Sequence, residues 1–342
     1  MPLPADLAVV GGRLFTGLEE LSGDLGVLDA RGTWVVVLPF DGPPLCARFG
    51  TVEPAPRGPA GVAPASGWSG PAPSSWTSSL DREAYVKAVT VVREAIAAGD
   101  VYQVNVCRRL SAPLPGAVDV AALGAALAAA NPAPHGALVR LPSAGVAVAS
   151  ASPECFLRRR GPVVESRPIK GTAPVGRAFT GKDRAENVMI VDLVRNDLGR
   201  VCEYGSVQVA GLCVAERHPG LVHLASTVRG RLRRGVGWAG LLDAAFPPGS
   251  VTGAPKRAAL GMVTGLEPVR RGPYCGSIGW VDADRRLGEL NVAIRTFWVE
   301  GGALHLGTGA GIVWESRPDA EWEETELKAR RLLGVASRTV AA

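Results

Sequence analysis

Long apolar runs are missing from this chain. The longest, VAALGAALAAA from Val120 to Ala130, is too short to cross a bilayer and reads as a buried helix. The N-terminus MPLPADLAVVGG has no basic region followed by a sustained apolar stretch, so no secretory signal is read there and a cytoplasmic protein is expected. Cysteine is sparse: Cys46, Cys107, Cys155, Cys202, Cys213 and Cys275 form no CxxC pair, and no histidine stands at zinc-ligand spacing. Reduced thiols are expected, not a disulfide framework or a zinc site. Blocks of like charge are also missing, since 37 Lys and Arg against 32 Asp and Glu leave a surplus of 5 that is spread along the sequence. That pattern gives no footprint for nucleic acid.

What is present is 342 residues with 47% hydrophobic content, enough for a substantial core. Residues 1–52 carry short β-like runs such as TWVVVL, Thr33 to Leu38. Residues 53–79 shift to Pro, Gly, Ala and Ser and read as a linker or mobile loop. Residues 80–342 read as the main domain. There Tyr85, Val89, Val92 and Ile96 share one helix face, with Gly99 as the stop. In VYQVNVC, Tyr102, Val104 and Val106 alternate with Gln103, Asn105 and Cys107, so one strand face carries amides. Further strands are predicted near 137–140, 146–149, 275–281, 290–298 and 303–307, and helices near 182–195, 254–264 and 320–333. No repeat is visible, and the mixture predicts an α+β fold with antiparallel sheets.

Two acidic pairs stand out on predicted helices: Asp183 with Glu186, and Glu321 with Glu324. The i, i+3 spacing puts each pair on one helix face, and two such faces opposed would suit a hard divalent cation such as Mg²⁺; the same spacing also suits solvated surface helices. GTGAG, Gly307 to Gly311, follows an apolar strand and could bare backbone N–H groups to an anion, or mark a turn or bulge. It has neither GxGxxG spacing nor a P-loop lysine, so a nucleotide site is not supported. His223 in GLVHLAST fits a core residue or a catalytic one. Lys170 in RPIKGT is a loop lysine or a buried amine of depressed pKa.

Nine ordered motifs resolve these alternatives: SPECF (152–156), RPIKGT (167–172), KDRAENVMIVDLVRNDLGRV (182–201), HLAST (223–227), PPGSVTGAPK (247–256), CGSIGW (275–280), AIRTF (293–297), GAGIV (309–313) and AEWEETELKA (320–329). Together they resemble the chorismate-utilising enzymes, a family that comprises anthranilate synthase component I, aminodeoxychorismate synthase component I, and the isochorismate and salicylate synthases. The resemblance runs from Leu80 to Leu333. It implies two antiparallel sheets packed face to face with helices outside, and a site between them. By resemblance, Glu186 and Glu324 are direct Mg²⁺ ligands and Asp183 and Glu321 outer carboxylates, the metal holding the ring carboxylate of chorismate, with Lys328 adding charge nearby. Arg295 and the amides of Gly309, Ala310 and Gly311 match a clamp on the enolpyruvyl carboxylate, and Thr172 a contact to the ring side. Glu154 and His223 match the acid and base at ring carbon 4.

Two positions separate family members. The isochorismate and salicylate synthases carry a water-activating lysine where this chain has Gln103. Anthranilate synthases read Pro-Ile-Ala-Gly-Thr where this chain has Lys170, and a lysine there marks the aminodeoxychorismate branch. The expected activity is therefore amination of chorismate by ammonia to 4-amino-4-deoxychorismate through Lys170, with anthranilate synthase as the alternative. At the end of CGSIGW, Trp280 replaces the family's substrate-contacting tyrosine. The tryptophan-regulation segment Leu-Leu-Glu-Ser is not found. Neither is a glutaminase cysteine with downstream His and Glu, so a glutamine amidotransferase partner is expected to supply ammonia.

Overall fold

A computed structural model describes residues 4–340 except 56–60, 63–66, 117, 175, 177, 219 and 220. The alternating apolar pattern becomes antiparallel pairing throughout. Passing from neighbour to neighbour, the main ladder runs Gln103–Pro113, Ala303–Ile312, Thr296–Glu300, Val146–Ser150, Ala137–Leu141, Leu7–Val10 and Arg13–Ser22. It continues through Leu45–Pro54, Thr33–Leu38, Ser277–Asp282, Leu287–Asn291, Cys155–Arg160, Val163–Arg167, Leu221–Arg231 and Gln208–His218. The strand Ile169–Pro174 lies on Leu221–Arg231 beyond Val163–Arg167.

The period of two decides what each sheet face buries. Ala8 and Val10 enter a core shared by the two halves of the ladder, together with Val139 and Val148 from one half and Val36, Phe156, Ile278 and Val281 from the other. Leu7 and Val9 point the opposite way, into a second cluster under α2 (Val120–Ala130) and α6 (Pro318–Ala336). A third cluster joins Val104, Val106, Ala310 and Ile312 to α1 (Arg82–Ala98) and α5 (Lys256–Leu266). Each large aliphatic side chain buried in this way stabilises by roughly 1.5–3 kcal/mol. The other helices are α3 (Gly181–Gly199), packed on Leu221–Arg231, and α4 (Trp238–Ala245). Among the described residues no helix is long and apolar enough to cross a membrane.

The strands of the β-rich residues 1–52 bridge the two halves: Leu7–Val10 pairs with Ala137–Leu141, and Thr33–Leu38 with Ser277–Asp282. Two expectations change. The described part of 53–79 is packed, with Trp68 2% exposed and donating through Nε1 to Ala336 O at 2.8 Å. Its scattered tryptophans bury area that its Pro and Gly content does not advertise. The predicted strand 290–298 is two strands, broken at 292–295, where Arg295 takes φ 53 in the left-handed region.

Candidate active site

The two ends of the ladder meet around Lys170. On Ile169–Pro174, Ile169 opposes Ala225 and Thr172 opposes His223, so Lys170 and Gly171 together face Leu224 alone. This is a bulge, and Gly171 takes φ 93, which a side chain disfavours. Bulges re-aim side chains, and α3 pins this one. Asn187, 1% exposed, donates from Nδ2 to Leu224 O at 2.9 Å and to Lys170 O at 3.4 Å, while its Oδ1 accepts from Ser226 Oγ. Asn187 lies inside the motif quoted above, yet one amide among the acids of α3 gives no sequence signal for this role.

Burial pulls the Lys170 pKa down, and Glu186 from α3 opposes that most strongly, followed among the acids by Glu154 and Glu324; Lys328 reinforces the lowering. Four charged residues from three parts of the chain thus act on one amine. The amine also lies beside the far end of the ladder: a β-carbon added to Gly311 would sit 3.3 Å from Lys170 Nζ and 2.3 Å from Gln103 Nε2. Gln103 is 1% exposed and its amide oxygen has no hydrogen-bond partner among the described residues.

Glu154 is 4% exposed, and burial pushes its pKa up to about 7, against the opposing influence of Ser250, Lys170 and the Ile169 backbone. A carboxyl of that pKa holds a proton it can give up near neutrality. His223 is buried opposite Thr172. The Thr172 side chain lies outside the described residues.

GTGAG lies in the strand Ala303–Ile312, not in a turn nest. Gly307, Gly309 and Gly311 pair with Arg109, Cys107 and Asn105, whose own N–H groups turn away, to Ser79 Oγ, Glu267 Oε1 and Thr252 O. These are the closely spaced, non-hydrogen-bonded pairs of an antiparallel ladder. Glycine is needed because a β-carbon at 309 would lie 2.6 Å from Val106 O. The backbone groups of Gly309 and Gly311 therefore face the open edge, where Lys328 Nζ donates to Gly309 O at 3.0 Å and pairs with Glu324 at 2.6 Å. Ala310 alternates with these glycines and pairs with Val106, so its backbone groups turn to the partner strand instead of that edge. Arg295 is half-buried, burial lowers its pKa with Arg331 adding to the effect, and its guanidinium meets no carboxylate among the described residues.

Of the four acids, Asp183 has a structural role of its own. Asp183 closes a capping box with Thr180 at the start of α3, accepting from Thr180 N at 2.8 Å. Glu321 is 4% exposed and acts with Glu324 on the Tyr85 hydroxyl, whose pKa is raised chiefly by burial. Among the described residues no three His, Cys, Asp or Glu side chains converge as a metal site. Trp280 is engaged by other residues: Arg13 stacks on its ring at 3.8 Å, and its Nε1 would lie 2.5 Å from a β-carbon on Gly11. Its indole is held on the turn between the first two strands, so the expected substrate contact is not supported.

A half-buried lysine acted on by three acids thus lies where the two ends of an antiparallel ladder meet in an α+β fold. The family described as chorismate binding enzyme matches residues 61–334, and the chain belongs to that family. Anthranilate synthase component 1 of Streptomyces coelicolor is 42% identical over 279 residues, covering 78% of this chain and 54% of that protein. Aminodeoxychorismate synthase component 1 of Klebsiella aerogenes is 42% identical over 272 residues, covering 76% and 59%. The chain thus spans a little over half the length of these relatives. Among solved structures, a putative 2,3-dihydroxybenzoate-specific isochorismate synthase of Bacillus anthracis is 26% identical with a TM-score of 0.78, covering 96% of this chain and 95% of that one. The menaquinone-specific isochorismate synthase of Escherichia coli shares the fold at a TM-score of 0.81 and 19% identity, covering 97% and 88%.

Proposed function

We propose that the protein aminates chorismate with ammonia to 4-amino-4-deoxychorismate, with Lys170 as covalent nucleophile. The observation that carries this reading is the Lys170 bulge: an amine whose pKa is lowered by burial, with Glu154 held protonated up to about pH 7 close by. A desolvated amine is more often neutral and nucleophilic. Its lone pair bonds to ring carbon 2, the two ring double bonds each shift one position, and the hydroxyl on carbon 4 takes the Glu154 proton and leaves as water. Ammonia then bonds to carbon 4, the double bonds shift back, and the lysine leaves carbon 2. Glu154 recovers the surplus proton from the new ammonium group. His223 would serve as a second proton-transfer group at carbon 4.

Glu186 and Glu324 offer hard oxygen donors from two helices, and two carboxylates completed by substrate and water are a common Mg²⁺ donor set. When bound there, Mg²⁺ would neutralise the ring carboxylate of chorismate. Arg295 and the outward N–H groups of Gly309 and Gly311 would take the enolpyruvyl carboxylate, the guanidinium in bidentate fashion. Lys328 would add positive charge, Thr172 would meet the ring side, and Gln103 would face the incoming ammonia. The relatives' names as component 1 support a glutamine amidotransferase partner.

Relatives named anthranilate synthase at equal identity favour a second reading, amination at carbon 2. Product analysis separates the two. Chorismate, Mg²⁺ and ammonium should yield a non-aromatic product with the mass of aminodeoxychorismate, and fluorescent anthranilate would overturn the proposal. Lys170→Ala should lower the rate by factors on the order of 10³ or more and shift residual product toward carbon 2. Aminodeoxychorismate formed by that variant at the wild-type rate would reduce Lys170 to a positioning charge.

A further inference from the structure

Behind Glu154 lies a cavity of about 10 Å³, room for one water molecule. Much of its wall is apolar, including Phe156, Leu157 and Val194, but Glu154, Ser250, Ser166 and Asp197 interrupt it. Two observations separate it from a packing void. Ser166, 4% exposed, stands on this wall together with Ser250 and the two acids, so four polar residues share one small space. Apolar cavities stay dry, whereas one lined by several polar groups draws in a water.

The second observation is that both carboxyls on the wall lead somewhere. Glu154 faces Lys170 and Ser250 on the reacting side. Asp197 on α3 accepts from Lys256 Nζ at 2.8 Å, and Lys256 also donates to Ala245 O at 2.8 Å. Arg200 is the other charge acting on Asp197, whose pKa burial raises. The Asp197 and Lys256 side chains keep 11% and 19% of their surface, so this end reaches solvent.

We propose that a water in this cavity, held by Ser166 and Asp197, exchanges protons between Glu154 and solvent while substrate covers the front of the site. The inference rests on Glu154 acting as the acid in the proposed reaction. Only protons move: the water gives one to the Glu154 carboxylate and recovers one from Asp197, which is reprotonated by solvent. The path answers a specific need. At pH 7 about half of Glu154 is ionised, and an ionised Glu154 under bound chorismate cannot release the hydroxyl. Without a route from behind, that half would wait for chorismate to dissociate.

Ser166→Val fills the cavity with apolar atoms, and Asp197→Asn removes the proton carrier at its outer end. With enzyme in excess over chorismate, and Mg²⁺ and ammonium present, wild type should complete its first turnover in a single phase from pH 6 to pH 8. Both variants should show two phases, the slow one at least ~10-fold slower, with a fast amplitude that is about half at pH 7, larger at pH 6 and smaller at pH 8. One phase in a folded variant overturns the path, whether at the wild-type rate or uniformly slowed, because a structural role would not make amplitude follow pH. If Asp197→Asn fails to fold, Ser166→Val decides. Glu154→Gln separates the two failures. Should it finish the first turnover at the wild-type rate, the acid assignment fails and the path with it; should it be inactive while Ser166→Val stays single-phased, only the path fails.

Discussion

Glu154→Gln should make stability less dependent on pH, because the fold holds the wild-type carboxyl protonated where the unfolded chain releases it. Burial at 4% exposure moves its pKa from 4.5 to about 7. A raised carboxyl pKa leaves stability untouched below the unfolded value, opposes folding increasingly as pH rises to the folded value, and adds nothing further above it. At about 1.4 kcal/mol per pKa unit the full penalty is roughly 3 kcal/mol, most of which accumulates between pH 5 and pH 8. Glutamine keeps the shape and removes the ionisation, and any hydrogen bond it changes shifts stability by an amount independent of pH. Urea unfolding of both proteins in half-unit steps across that range reads the effect directly. The variant's stability minus the wild type's should climb by roughly 2–3 kcal/mol and level off above about pH 7.5. Parallel curves would mean that the carboxyl ionises in the folded protein as easily as in water, and the buried-acid assignment would be wrong. The wild type's kcat should also fall as pH rises through 7.

Glu324→Gln should weaken Mg²⁺ binding measured calorimetrically and abolish turnover, because Glu324 acts on Lys170 and pairs with Lys328; full activity in a chelator would refute the metal reading. Gly311→Ala places a methyl 2.3 Å from Gln103 Nε2, the end of a side chain that can shift, so kcat should drop at least ~10-fold with the melting temperature little changed. Wild-type kcat in that variant would show that Gln103 and Lys170 need not be close. Arg295→Ala should raise KM for chorismate by ~10-fold or more with little loss of stability, since the guanidinium has no ion pair to lose among the described residues. A large fall in melting temperature with unchanged KM would assign it to the fold instead.

The sequence by itself determined most of the elements and the family to which the chain belongs. Period-two alternation around Val104 and Val106 and the helical stripe of Tyr85, Val89 and Val92 are local patterns, and both reappear in one apolar cluster. Lys170, Glu154, Glu186 and Glu324, which act on one another in the fold, are singled out in the sequence by motifs that stand in order along the chain, and motif order survives without any knowledge of distance. Tertiary structure decided what depends on long-range register. Only the pairing against Leu221–Arg231 shows the extra residue that aims Lys170, and only α3 packing shows Asn187 holding it. Asp183 and Glu186 share a helix face by spacing, yet Asp183 is drawn to the helix N-terminus as a cap while Glu186 acts on the lysine. The glycines of GTGAG read alike as turn, nest or strand, because the backbone edge they leave open is fixed by a partner strand about two hundred residues away. Burial is the last such property: no local pattern says that the Glu154 carboxyl is buried, and that burial raises its pKa.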